Sequence, residues 1–325
     1  MAIVPGGSVV WRSTMGAGAV LASVLLNLLA CGGSVGIGVG GAGVGVGMSK
    51  DAHRRDVGEW YQGRIQRLTA DDGWLTLVGL YPMPPGRYQF GSAEDNDFVF
   101  PARAPTHAGT ITVDSTGATL AAADGVQMTH DGAVVSQIAL ATDHGGATPT
   151  EIQMGTISLY AIDRPGTLYL RVKDSESEVR KNFKGIERFP VRRAWRVDAR
   201  LDPYDPPRRV TIPNIAGFEE VVDCPGALVF SIEGKEYRLE PMSESADEWF
   251  IVFGDATNGH DTYGGGRFVY VPAPGPDGRT VIDFNRAYNP PCVFTPFATC
   301  PLPHRENVLP IRVEAGEKKW GGAHS

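Results

Sequence analysis

A chain of 325 residues is too long for one small domain and long enough to bury a sizeable core. With 42% hydrophobic and 21% charged residues, 41 Gly and 24 Pro, the composition suits a globular, turn-rich protein and excludes a disordered or collagen-like chain. A formal net charge of −7 excludes broad electrostatic attraction to nucleic acid or anionic lipid headgroups, so no nucleic-acid partner is expected and small or neutral partners fit better.

Arg12 is the only charge before an apolar run from Gly16 to Ala30, which is too short to span a bilayer and about right for the core of a signal peptide. The run closes on Leu28-Leu29-Ala30-Cys31, which resembles the lipobox of bacterial lipoproteins. That resemblance implies removal of residues 1–30 and a diacylglycerol on the Cys31 sulfur, with the protein exported and anchored to a membrane of the cell envelope. Gly32 to Gly47 alternates between Gly and small, mostly apolar residues and has no means of burying a core, so residues 31–50 read as a lipidated Cys with a flexible tether.

Residues 51–82 form an N-terminal helical segment. Val57, Trp60, Tyr61, Ile65 and Leu68 recur at helical spacing, with Arg54, Arg55, Glu59, Arg64 and Arg67 between them, which predicts one amphipathic helix over Asp51 to Leu68. Trp74 to Tyr81 is a second apolar stretch of ambiguous type, ended by the turn cluster Pro82 to Gly86. Residues 83–175 then break into short runs separated by Gly, Pro, Asp and Asn: 88–90, 98–100, 109–113, 118–121, 133–140, 156–162 and 167–172. Turn signals at this spacing predict a sandwich or barrel. The charged stretch from Asp174 to Arg188 leaves room for a short helix. A second β-rich unit over residues 176–319 carries runs at 195–201, 208–212, 227–232, 235–239, 249–253, 267–271 and 281–285, and residues 320–325 are a tail. The expected fold is mainly β: two β-rich, sandwich-like units behind a short N-terminal amphipathic helix.

Near the C-terminus the run Asp283-Phe284-Asn285-Arg286-Ala287-Tyr288-Asn289-Pro290-Pro291-Cys292 is followed by Cys300-Pro301-Leu302-Pro303, Glu306-Asn307 and Glu314-Ala315-Gly316-Glu317-Lys318. With Thr262-Tyr263, Gly266-Arg267-Phe268, Trp74-Leu75 and Leu77-Val78-Gly79-Leu80, these residues resemble a bacterial family, domain of unknown function 1684, over about Trp60 to Lys319. His304-Arg305 departs from the family's usual continuation in Pro. The resemblance implies a stand-alone β-rich domain with no established activity or cofactor. Gly86 to Leu140 is also similar in residue order to a forkhead-associated sandwich, but Ser92 stands where that family places a phosphate-binding Arg, so only the fold is implied.

Nucleophile-elbow, P-loop, dinucleotide and zincin spacings are missing. The seven His are scattered, and His107, His130, His144 and His260 sit among Gly, Asp and Thr as solvated loop residues do. A zinc site from Cys292, Cys300 and His304 would lack a fourth ligand, so no metal and no cofactor is expected. Cys292 and Cys300 are close enough in sequence to form a disulfide, and Cys224 reads as a packed free thiol.

Arg267–Val271 and Val281–Asn285 read as an antiparallel hairpin in which Phe268, Tyr270, Ile282 and Phe284 share the core face. That register sets Arg267 opposite Asp283 and Asn285. Tyr263, Arg267, Asp283, Asn285, Tyr288 and Asn289 therefore form a candidate pocket or sealed polar core. The function expected is an envelope-anchored binding or structural protein for a small molecule, glycan or protein. The alternative is an envelope hydrolase drawing a carboxylate pair from Asp255, Asp261 and Asp283.

Overall fold

The computed structural model describes residues 48–322 apart from residue 244, so the expected signal peptide, Cys31 and nearly all of the tether lie outside the described residues. The expected helix is present as α1 (Lys50–Thr69), capped by the Ser49 side chain, which accepts from Ala52 N at 3.1 Å. Its buried residues are His53, Val57, Arg64 and Leu68, so the inward face carries two basic side chains as well as two aliphatic ones. Trp74–Thr76 forms a 3-10 turn, which resolves the ambiguous stretch into a turn leading to the first strand.

The first group of strands is β1 (Leu77–Pro82), β2 (Gly86–Gly91), β3 (Phe98–Val99), β4 (Gly109–Asp114), β5 (Gly117–Ala122), β6 (Thr129–His130), β7 (Ala133–Val134), β8 (Gln137–Leu140), β9 (Ile152–Met154), β10 (Ile157–Arg164) and β11 (Thr167–Asp174). They make a six-stranded sheet in the order β1-β11-β10-β9-β6-β7 and a five-stranded sheet in the order β3-β2-β4-β5-β8. Alternation on β4 turns Ile111 and Val113 inward and leaves Thr112 and Asp114 outside. Phe90, Ile111 and Leu120 from one sheet pack with Ile152, Leu159 and Leu170 from the other, the arrangement expected of a sandwich. The run at 133–140 divides into β7 and β8, while β6 and β9 are too short to show a period in sequence.

The second group follows α2 (Glu178–Lys181): β12 (Arg196–Pro213), β13 (Glu219–Ile232), β14 (Lys235–Leu239), β15 (Met242–Ser243), β16 (Glu248–Phe253), β17 (Arg267–Pro272) and β18 (Arg279–Asp283). Its sheets run β14-β13-β12-β18 and β15-β16-β17. The sequence runs at 195–201 and 208–212 are one strand, β12, whose pairing with β13 shifts between Pro203 and Arg208, where prolines cannot donate to the ladder. Phe230, Phe253, Ile282, Phe284 and Val313 close a second core.

β17 and β18 do not form the expected hairpin. β17 pairs with β16, and β18 pairs with β12, with Asp283 opposite Arg196. The expected core face holds for Ile282 and Phe284, and Phe268 is buried, but on β17 the main core takes the other face. Val269 and Val271 enter the core, carrying Arg267 with them, whereas Tyr270 on the opposite face is exposed. On this strand the valines claim the main core, and Phe268 on the opposite face packs in a smaller buried cluster with Phe250 and Leu77. Gly266, at φ +88°, leads into this strand where an added Cβ would lie 2.7 Å from Phe253 O, so only glycine fits.

Candidate functional site

Arg267 is fully buried, and a buried guanidinium must place its donors. Its Nη2 donates to Asp255 Oδ2 at 2.7 Å and to Val313 O at 2.9 Å, and its Nη1 donates to Ala315 O. Asp255 Oδ1 accepts from Thr257 N at 2.8 Å, Thr257 Oγ1 at 2.6 Å and Val313 N at 3.2 Å. Burial pulls the Arg267 pKa down, and the charge on Asp255 opposes that shift. Arg267 therefore belongs to a sealed polar core, but its partner is Asp255 and not Asp283.

Asp283 instead faces α1. Its Oδ2 lies 2.7 Å from His53 Nε2, and its Oδ1 accepts from Asn285 N at 3.1 Å and Asn285 Nδ2 at 2.8 Å. Asn285 also clasps the backbone of Arg192, donating to its O at 2.9 Å and accepting from its N at 3.0 Å. The expected grouping of Asp283 with Asn285 is present, as a joint between α1, β18 and the segment before β12.

Asn289 belongs to a third cluster, built around the end of the chain. Arg64 Nη2 donates to Asn289 O at 3.0 Å, Arg64 Nε lies 3.4 Å from Glu317 Oε1, and Glu317 Oε2 accepts from Asn289 N at 2.7 Å. Burial raises the Glu317 pKa, opposed chiefly by the Arg64 charge. The Arg64 guanidinium stands over the Tyr288 ring, 4.7 Å from its centroid.

Tyr288 connects these polar clusters to a cavity of about 520 Å³ that opens between α1, the turn at Trp74 and the aromatic face of β17. Phe268 and Tyr288 exchange backbone hydrogen bonds of 2.9 Å, which fixes the Tyr288 ring edge-on to Phe268 and nearly parallel to Tyr270. Phe250 and Phe268 line one side, and Trp60 from α1 lies 6.2 Å from the Tyr288 ring. Trp74 lines the cavity as well, with Arg64 and Arg67 from the same helix and Asp72 as its carboxylate. Of the six residues expected to form a pocket, Tyr288 lines this one, whereas Tyr263, Arg267, Asp283, Asn285 and Asn289 do not. Arg64 escaped sequence reading because helical spacing assigned it to the polar face, and nothing local announces that Glu317 will meet it.

The expected disulfide is not formed: Cys224, Cys292 and Cys300 are all free thiols. Cys292 and Cys300 are nonetheless neighbours, with Cys292 N donating to Cys300 Sγ at 3.2 Å. A hydrogen bond from Cys300 holds the Cys292 thiol below its ordinary pKa, with help from the Tyr263 hydroxyl and against burial. The same bond, with burial, pushes Cys300 up, and burial raises Tyr263. Cys224 is packed and buried.

The three acids considered for hydrolysis are dispersed among partners: Asp255 on Arg267, Asp283 on His53, and Asp261 on the exposed Arg312. His304 turns to Glu306, 3.0 Å from its carboxylate, and not to the cysteines. Among the described residues, no group of three or more His, Cys, Asp and Glu side chains is placed to hold a metal ion, and no helix is long and apolar enough to cross a membrane.

Fold and site together define a mainly β protein with an aromatic-lined cavity beside a buried ionic framework. A family model described as "Protein of unknown function (DUF1684)" matches residues 181–318, which supports the likeness carried by the C-terminal motif and leaves the segment from Trp60 to Leu80 outside the match. No curated protein matches the chain. A solved structure that is similar is the solution NMR structure of an uncharacterized protein from gene locus rrnAC0354 of Haloarcula marismortui, at 28% identity, covering 43% of this chain and 78% of that one, with a TM-score of 0.35.

Proposed function

We propose that the chain is a binding protein of the cell envelope, anchored through Cys31 and its Gly-rich tether, that takes a small molecule in the cavity between α1 and β17. The observation that carries this reading is the cavity itself. At about 520 Å³ it falls within the range of small-ligand sites, and half of its lining residues are aromatic, with a few charged groups among them. On the outer face of β17 Phe268 is buried beside Phe250, while Tyr270 is 38% exposed at the cavity, where a ligand would cover it. A purely structural role gives no reason for that arrangement, and the separate partners of Asp255, Asp261 and Asp283 give no support to a carboxylate-pair hydrolase.

A thermal-shift screen of the full chain against small organic molecules tests the reading. A true ligand raises the melting temperature of the wild type, by about 2.7 kcal/mol of stabilisation at a hundredfold excess over Kd, and loses that effect in Trp60→Ala. Ligands that stabilise both proteins equally would place binding elsewhere. Cell fractionation tests the anchor: Cys31→Ser moves the protein out of the membrane fraction, and its retention there would exclude lipidation at that residue.

A further inference from the structure

We propose that the cavity selects an organic anion, with a flat apolar group held among Trp60, Trp74 and Tyr288 and a carboxylate, sulfonate or phosphate turned to Arg64 and Arg67. The inference rests on the reading of this cavity as a binding site. Aromatic walls alone do not choose a charge, since ring faces accept cations and flat apolar groups alike. Here the choice is made by what already occupies them. The Arg64 guanidinium sits 4.7 Å from the Tyr288 centroid, in the position a cationic ligand would take, so a second cation there meets like charge. Two guanidiniums line the cavity against the single carboxylate of Asp72, on a chain whose formal net charge is −7. The local sign is thus opposite to that of the whole molecule.

Both arginines have capacity to spare. Arg64 is buried, and its Nη1 has no hydrogen-bond partner among the described residues. Glu317 offsets part of its charge, but from the side of the Nε atom, at 3.4 Å. Arg67 is exposed, lies one turn further along the same helix, and has no ion-pair partner among the described residues. A planar anion can take two parallel N–H donors from a guanidinium, which adds orientation to attraction. The Arg171 guanidinium lies 5.3 Å from the Trp74 indole centroid, which adds a further positive charge beside a residue of the cavity wall.

Fluorescence titration of the full chain with two matched probes tests the proposal: 1-anilinonaphthalene-8-sulfonate, and N-phenyl-1-naphthylamine, which is the same ring system without the sulfonate. The sulfonate probe binds at one site with a Kd about tenfold or more below that of the neutral probe at low salt. Arg67→Gln, a surface change that spares the core, weakens the sulfonate probe more than the neutral one and so narrows that difference, and Arg64→Gln narrows it in the same direction. Equal affinities for the two probes, or a preference for the sulfonate that survives both substitutions undiminished, would overturn the anion assignment while a loss of both probes in Trp60→Ala still upheld the cavity. If Trp60→Ala changed neither probe, the cavity reading and the anion assignment would both fall.

Discussion

Arg267 and Asp255 meet at 2.7 Å with neither side chain touching solvent, and the backbone carbonyls of Val313 and Ala315 accept from the guanidinium's Nη atoms. The C-terminal segment is thereby tied to β17 through a charge that cannot be rehydrated without opening the core. Removing one partner of such a pair strands the other. Asp255→Asn is expected to lower the unfolding free energy by about 3–5 kcal/mol, measured by urea denaturation at neutral pH. A loss below about 1 kcal/mol would show that Arg267 finds water or another acceptor when Asp255 is neutral.

The β-rich class, the helix and most strands were legible because each leaves a local period or a turn signal, as β4 does with Ile111 and Val113. The partner of Arg267 was not. Sequence alternation separates Arg267 and Phe268 onto opposite faces but does not say which face is the core, and both faces of β17 are partly covered. Choosing the aromatic face as interior produced a hairpin with β18 that the sheets do not contain. Asp283, Arg64 and Glu317 were illegible for a related reason. Their partners lie 230 and 253 residues away in sequence, and no short-range pattern encodes a pairing of that separation. Tyr288 was legible as a site residue because it sits inside a long motif of aromatic, amide and proline residues.

His53 and Asp283 join α1 to the end of β18, and both are nearly withdrawn from solvent. A double-mutant cycle of His53→Ala and Asp283→Ala is expected to give a coupling of about 0.5–3 kcal/mol. Asp283→Ala should cost more than His53→Ala, because it also frees Asn285 Nδ2 from one of its two acceptors. Additivity of the two changes would show that the His53–Asp283 contact adds no coupling and that α1 is held by its other contacts, such as packing at Val57 and Leu68 and the Arg64 contacts with Asn289 and Glu317.

Glu317 gives the folded protein a pH dependence of definite sign. Burial raises its pKa above the ordinary 4.5, so the unfolded chain gives up the proton first. Its contribution to stability is then full below pH 4.5 and is lost as pH rises through the raised folded value. Glu317→Gln keeps an oxygen to accept from Asn289 N and removes the titration. Melting temperatures of the two proteins from about pH 4 to about pH 8 should therefore show the variant gaining on the wild type as pH increases. A constant difference across that range would mean that the Arg64 charge compensates burial in full.

The thiols make a final prediction that also bears on compartment. Thiolate is the reactive form, and the hydrogen bond from Cys300 favours thiolate at Cys292, while Cys224 and Cys300 are buried and shifted upward. Native protein purified under reducing conditions and treated with iodoacetamide should be modified first at Cys292, at a lower pH than an ordinary thiol requires, and at the other two only after unfolding. Cys300→Ala removes the donor, so the pH at which Cys292 reacts should move up toward 9.0. If Cys300 reacts first in the wild type, or Cys300→Ala leaves the profile of Cys292 in place, the hydrogen bond does not control the pair. Protein produced with deliberate export to an oxidising compartment adds a separate comparison by intact mass after unfolding without reductant. Alkylation at Cys224 alone would show that the neighbouring pair closes into a bridge after export, whereas alkylation at all three cysteines would show that it stays reduced there.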